Sequence, residues 1–286
     1  MIYITLSILF STSLFVIFKY FSTYKVNTLQ AIVVNYVVAF FLGMLSANRI
    51  ASVQTIGNQT WFFGAIVLGF LFVTVFTIMA KTSQYNGVSV ASIAGKMSVV
   101  IPVIFGILVY KEGISFLKIM GIVMALVAVY LSSVKDGNEK NKTNFLLPVL
   151  LFLGSGVVDA ALKYVEANYV SEHDVDFFSG SIFGIAACLG TIILLVKYCT
   201  LKEKLTFKSM VAGLVLGVPN YYSIVFLIKA LQNQNFDSST LFIVNNVGTV
   251  VVSTFLGVLL FKETFSLKNR LGVVLAIAGI ILVTIA

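Results

Sequence analysis

Charge is what this sequence has least of. Only 10% of its 286 residues are charged, whereas a soluble domain carries about 25%. So little charge cannot cover a surface that faces water, and this excludes an ordinary soluble protein. Histidine and cysteine are also scarce, at one and two residues. His173 stands alone in an acidic loop, and no Cys or His cluster has the spacing of metal ligands, so no metal site is expected. Cys188 and Cys199 are eleven residues apart on or beside one apolar run. A helix separates them by about 16 Å, which excludes a disulfide. No basic residue precedes the first apolar run, which argues against a signal peptide and for a first span that stays.

Apolar residues are what the sequence has instead, at 59%. A helix needs about 20 of them to cross a bilayer. That length predicts ten spans, at 2–21, 28–47, 61–83, 87–110, 114–133, 145–165, 177–198, 208–230, 238–261 and 267–286. The connections between them are short, and none has room for a soluble domain. The net charge of +8 sits in those connections. Lipid headgroups and topology explain it better than nucleic acid does.

The chain also repeats itself. Gly95–Glu112 ends in Lys111-Glu112, and Thr249–Glu263 ends in Lys262-Glu263. Gly106 pairs with Gly257, Glu112 with Glu263, Gly121 with Gly272 and Ala125 with Ala276, all at an offset of 151. Earlier pairs follow at smaller offsets: Lys19-Tyr20 with Lys163-Tyr164 at 144, Gly43 with Gly190 at 147 and Lys81 with Lys229 at 148. Loop insertions produce such a steady drift. The predicted fold is therefore an all-α integral membrane protein of ten transmembrane helices in two repeats, 1–134 and 145–286, joined by a loop at 135–144. Five spans is an odd number, so the second repeat enters the membrane from the opposite side. Two inverted repeats are a transporter architecture with its site between them near the midplane.

Thirteen basic residues follow odd-numbered spans: Lys19, Lys25, Lys81, Lys135, Lys140, Lys142, Lys197, Lys202, Lys204, Lys208, Lys262, Lys268 and Arg270. Five follow even-numbered spans: Arg49, Lys111, Lys118, Lys163 and Lys229. The positive-inside rule then places both termini outside.

Ionisable groups inside spans are costly, at about 2.5–3.5 kcal/mol each on the translocon scale, unless a cavity or partner receives them. Lys96 is close to mid-membrane in span four. It reads as a cavity lysine that attracts an anionic substrate group, or as a structural lysine that pairs or snorkels. Asp159 is the one acid deep in a span. It either pairs with Lys163 one turn on or couples transport by binding a proton or by neutralising Lys96. Pro219 kinks span eight beside Asn220, Tyr221 and Tyr222, as a site wall or as packing, and Pro102 is similar in span four. Asn245 and Asn246 in span nine call either for a cavity or for hydrogen bonds between helices, and Asn35 is a weaker case of the same kind. Glu112 and Glu263 close spans four and nine as structural or gating elements. The pairs Gly180/Gly184 and Gly213/Gly217 suit close helix packing.

With its repeat, its ten spans and the P-x-x-x-G-x-x-x-x-x-E run at Pro102–Glu112, the chain resembles the EamA family of the drug/metabolite transporter superfamily. Ser253 stands where the second repeat would carry the counterpart of Pro102. The resemblance implies two inverted five-helix repeats, with spans one, three, four, six, eight and nine around a central cavity and spans five and ten at the periphery. It implies export or exchange of an amino acid-like metabolite, an organic anion or a drug across the cell membrane (plasma or inner), with no cofactor. Members of this family are often drawn with both termini in the cytoplasm, against the lysine count here. The expected partners are a small-molecule substrate, a coupled proton or exchanged solute, and membrane lipid, with the protein a monomer or homodimer. The alternative is a polytopic membrane enzyme acting on a lipid-linked substrate.

Overall fold

In lipid no water satisfies a peptide group, so an apolar run must bond its own backbone and become a helix. A computed structural model shows that outcome. It describes residues 2–47, 50–109, 115–133, 145–171, 174–201, 204–231, 238–263 and 266–285. Among these there are α-helices and one 3-10 segment, Ile50–Asn58, and no strand. The helices are α1 (Ile2–Thr23), α2 (Thr28–Ser46), α3 (Phe62–Tyr85), α4 (Val88–Met97), α5 (Val100–Val109), α6 (Phe116–Ser133), α7 (Leu146–Tyr169), α8 (Val175–Leu201), α9 (Phe207–Leu231), α10 (Ser238–Phe261) and α11 (Leu267–Ile285).

Among the described residues, eight apolar stretches of helix are long enough to cross a membrane, with α4 and most of α5 counted together as Val88–Leu108. The two remaining predicted spans, 114–133 and 267–286, are helical too, as α6 and α11.

Span four is not the single helix its sequence suggests, because α4 ends at Met97 and α5 begins at Val100. The cause is Pro102. Proline has no N–H for the carbonyl four residues back, and its ring crowds that carbonyl. Here that carbonyl belongs to Ser98, which accepts from Ile101 N–H at 2.9 Å instead. The Ser98 hydroxyl in turn donates to the Gly95 carbonyl at 2.6 Å. Pro219 lies within α9, which continues as a helix to Leu231.

The chain forms two compact units. The first contains 1–20, 78–157 and 222–286, and the second 21–77 and 158–221. Each unit draws on both halves of the sequence, and α1, α3, α7 and α9 each contribute to both.

In the first unit α6 packs along α11. Small residues face each other there: Gly121, Ala125, Ala128 and Ser132 on α6, and Gly272, Ala276 and Gly279 on α11. A Cβ on Gly279 would lie 3.2 Å from the Ala125 nitrogen and the Gly121 oxygen. One on Gly121 would lie 2.9 Å from the Val283 nitrogen. Without side chains at these points the backbones approach closely, which is how helices associate where lipid removes the hydrophobic drive. Ile93, Met97, Val100, Phe152 and Val250 extend this core across α4, α5, α7 and α10.

In the second unit α2 packs along α8, and Gly43 meets Gly180 so closely that a Cβ on Gly43 would lie 3.0 Å from the Gly180 Cα. A Cβ on Gly213 would lie 2.6 Å from the Ala31 oxygen, which brings α9 onto α2 as well. Trp61, Leu68, Phe177, Phe178 and Ile182 make a second core there.

Gly279→Val drives a branched side chain into the α6 backbone. Overpacking of this kind costs about 1–3 kcal/mol, so the melting temperature of detergent-purified protein falls. Gly57→Val is the control and leaves it unchanged, because no atom lies within 4 Å of a Cβ built there.

Candidate functional site

The site is built outward from α4. Gly87, at φ 112°, turns the chain into the helix and offers no side-chain cap. Glu263, which follows the end of α10, supplies it. Its Oε1 accepts from Val88 N–H at 2.6 Å, and its Oε2 accepts from Ser89 N–H at 3.2 Å and from the Ser89 hydroxyl at 2.8 Å. Ser89, Ser92 and Lys96 follow at helical spacing, on one stripe of α4. The Ser92 and Ser253 hydroxyls bond to each other across to α10. A Cβ on Gly257 would lie 2.8 Å from Ser89 Oγ. Ser89 beside Gly257 and Ser92 beside Ser253 define an antiparallel register, which one turn further brings Lys96 level with Thr249.

Lys96 is half-buried in the last turn of α4, immediately before the break. The carbonyl ends of a helix carry partial negative charge and favour a cation there by about 0.3–1 kcal/mol. The break made by Pro102 therefore gives a mid-span lysine part of its electrostatic support. Sequence spacing shows Lys96 as an intrusion in an apolar run, whereas the structure shows it as the cation of a half-helix terminus.

Elsewhere in the first unit the polar groups tie helices together. The Ser7 hydroxyl on α1 lies 2.9 Å from the Ser223 carbonyl of α9 and 3.0 Å from Asn245 Oδ1 of α10. Asn245 is 2% exposed. Asn246 beside it is half-buried. Tyr222 joins an aromatic row with Phe10, Phe226 and Tyr3, in which Phe10 and Phe226 stack with centroids 5.5 Å apart. Lys229 Nζ lies 5.9 Å from the centre of the Tyr3 ring.

In the second unit Asn35 is fully buried, and neither side-chain polar atom has a hydrogen-bond partner among the described residues. Its backbone carbonyl oxygen lies 3.0 Å from where a Gly217 Cβ would stand, so α2 and α9 meet at this residue. Tyr36 beside it is also fully buried and donates to the Phe72 carbonyl at 2.7 Å. Asn220 and Tyr221 are buried after Pro219. Asp159 and Lys163 are exposed, one turn apart on α7.

The structure thus groups Lys96, Pro102, Tyr222, Asn245, Asn246 and Glu263 in the first unit, and Asn35, Asp159, Pro219, Asn220 and Tyr221 in the second. Glu112 lies outside the described residues. Sequence reading missed Ser7, Ser89, Ser92 and Ser253 as a set. The seven-residue stripe from Ser89 to Lys96 was the available signal, but serine costs little in a span and draws no notice alone.

A family model described as the EamA-like transporter family matches residues 1–134 and 146–285. An uncharacterized protein of Haemophilus influenzae is 29% identical over 287 residues, covering 96% of this chain and 94% of that one. A Lactobacillus johnsonii protein, provisionally described as a sugar uptake protein, is 28% identical over 171 residues, covering 57% of this chain and 54% of its own. A protein crystal structure with a TM-score of 0.57 and 14% identity covers 98% of this chain and 97% of its own, which is a likeness of fold. Apolar helices long enough to span a bilayer and a family match across nearly the whole chain agree: this chain belongs to the EamA-like transporter family and is a multi-pass membrane transporter rather than an enzyme.

Proposed function

We infer that the chain is a secondary transporter of the cell membrane working by alternating access, with ten spans in two inverted five-helix repeats that rock about a midplane site. It exports or exchanges a small metabolite whose anionic group meets Lys96. The observation that carries this reading is the break between α4 and α5, with Lys96 in the last turn before it. Discontinuous helices in membrane transporters mark substrate and ion sites, because their termini bring partial charge to the middle of the bilayer. Asp159 serves as the coupling carboxylate by taking and releasing a proton. Tyr222 and Asn246, in the same unit as Lys96, supply polar contacts, and Asn245 holds α10 in place through Ser7.

The Lactobacillus johnsonii relative favours a second reading, uptake of a neutral sugar. A sugar would rest on the amides and aromatic rings and place no demand on a cation. Lys96 separates the two readings. In reconstituted vesicles, Lys96→Met lowers transport of an anionic substrate about tenfold to hundredfold, the loss of one charge-assisted contact worth about 1.5–3 kcal/mol. A thermal-shift screen against carboxylates, amino acids and sugars identifies that substrate first. Transport at the wild-type rate by Lys96→Met rules out the anion reading.

Asp159→Asn keeps the shape and removes the charge. Proton-driven uptake into vesicles with an imposed pH gradient is lost, while thermal-shift binding of substrate persists. A full response to the gradient assigns coupling elsewhere.

The lysine distribution sets orientation. A tag on the C-terminus is digested by protease added to intact cells if both termini face out, and protected if the opposite orientation holds.

A further inference from the structure

Four helix ends of the first unit meet at one corner. The Lys19 ammonium of α1 donates to the Gln84 carbonyl in the last turn of α3 at 2.9 Å, and the Ser83 hydroxyl of α3 donates to the Phe15 carbonyl of α1 at 2.6 Å. The Tyr20 ring stands edge-on to Phe261 at the end of α10, with centroids 4.8 Å apart. Glu263 joins α10 to the start of α4 through Val88 and Ser89.

These ties differ in kind. Lys19 and Ser83 donate to backbone carbonyls within helices. Glu263 caps a helix that has no cap of its own, and it does so from a different element. Two glycines make room for it. A Cβ on Gly87 would lie 2.7 Å from Oε1, and one on Gly257 would lie 2.5 Å from Oε2. The chain turns on either side of the contact, with φ 112° at Gly87 and φ 51° at Lys262. Lys262 holds a left-handed conformation that L-residues rarely adopt, and it aims the carboxylate back at α4. A cap borrowed in this way is lost as a unit when the end of α10 moves away from α4. Below it lies the Ser92–Ser253 bond, fully buried and leading toward Lys96.

We propose that this corner is a gate of the transport path and that Glu263 is its latch. The gate is closed in this structure and opens when the carboxylate leaves the first turn of α4. The connections involved follow predicted spans one, three and nine, so in an alternating topology all lie on the lysine-rich side of the membrane. Glu263 is a positioning residue: it acts through α4, the helix that carries Lys96. The proposal rests on the alternating-access reading, yet its test requires no transported substrate, so the two can fail separately.

The test uses Ser92→Cys in the full-length protein with Cys188→Ser and Cys199→Ser, two free and exposed thiols. A membrane-impermeant maleimide is applied to oriented vesicles from either side. With Glu263 intact the buried thiol labels slowly. Glu263→Gln places an amide NH2 where N–H donors converge, and raises the rate about tenfold from the lysine-rich side only. Gly257→Ala displaces the carboxylate without removing it and raises the rate from the same side. Unchanged rates in both variants overturn the proposal. So does faster labelling from both sides together with a lowered melting temperature, which makes Glu263 a folding residue and not a latch.

Discussion

The peptide group's need for a hydrogen-bond partner in a place without water governs this molecule. A regular helix meets that need from within, which is why apolar runs become helices almost regardless of their side chains. The difficulty lies where a helix is interrupted or begins. At Ser98 the proline four residues on removes a donor, and the carbonyl turns to Ile101 N–H. At Val88 and Ser89 the first N–H groups have no local acceptor, and Glu263 reaches across from beyond α10. Both solutions lie on the same span, which also carries Lys96 in the last turn of α4. Interruption, cap and charge are thus one arrangement, in which the lost regularity of α4 and α5 creates the dipole end that favours Lys96.

The second constraint is contact. Lipid tails are as apolar as leucine, so helices associate by fitting closely and not by escaping water. The α6–α11 stripe and the Gly43–Gly180 crossing bring backbone against backbone. Larger side chains fill the spaces between these seams, as Trp61 does against Phe177 and Phe178. Polar residues then act as specific ties. Ser7 links α1 to α9 and α10, and Gln30 of α2 holds the approach to α9 through the Lys204 carbonyl and Thr206 N–H.

Much of the fold was legible in sequence because bilayer thickness converts directly into run length. Helix positions followed from that ruler, and the transporter family followed from the residues around Pro102–Glu112. The ruler failed in one instructive place. It read 87–110 as one helix, since hydropathy is blind to the carbonyl that Pro102 leaves without a donor. For the site, ionisable residues were easy to find because each is expensive in a span. Their surroundings were not, because a serine such as Ser92 becomes informative only when Ser253 stands opposite.

Glu263 shows most clearly where sequence stops. Its match with Glu112 marked it as a repeated helix end, structural or gating. Its partners are Val88 and Ser89, more than 170 residues away, and no local pattern connects them. The sequence by itself determined a helical membrane transporter, because charge scarcity, run length and a family pattern are properties of the chain taken in order. Only the tertiary structure decided which helix caps which and where span four breaks its hydrogen bonds. Those outcomes depend on donors and acceptors that meet only after distant segments have packed.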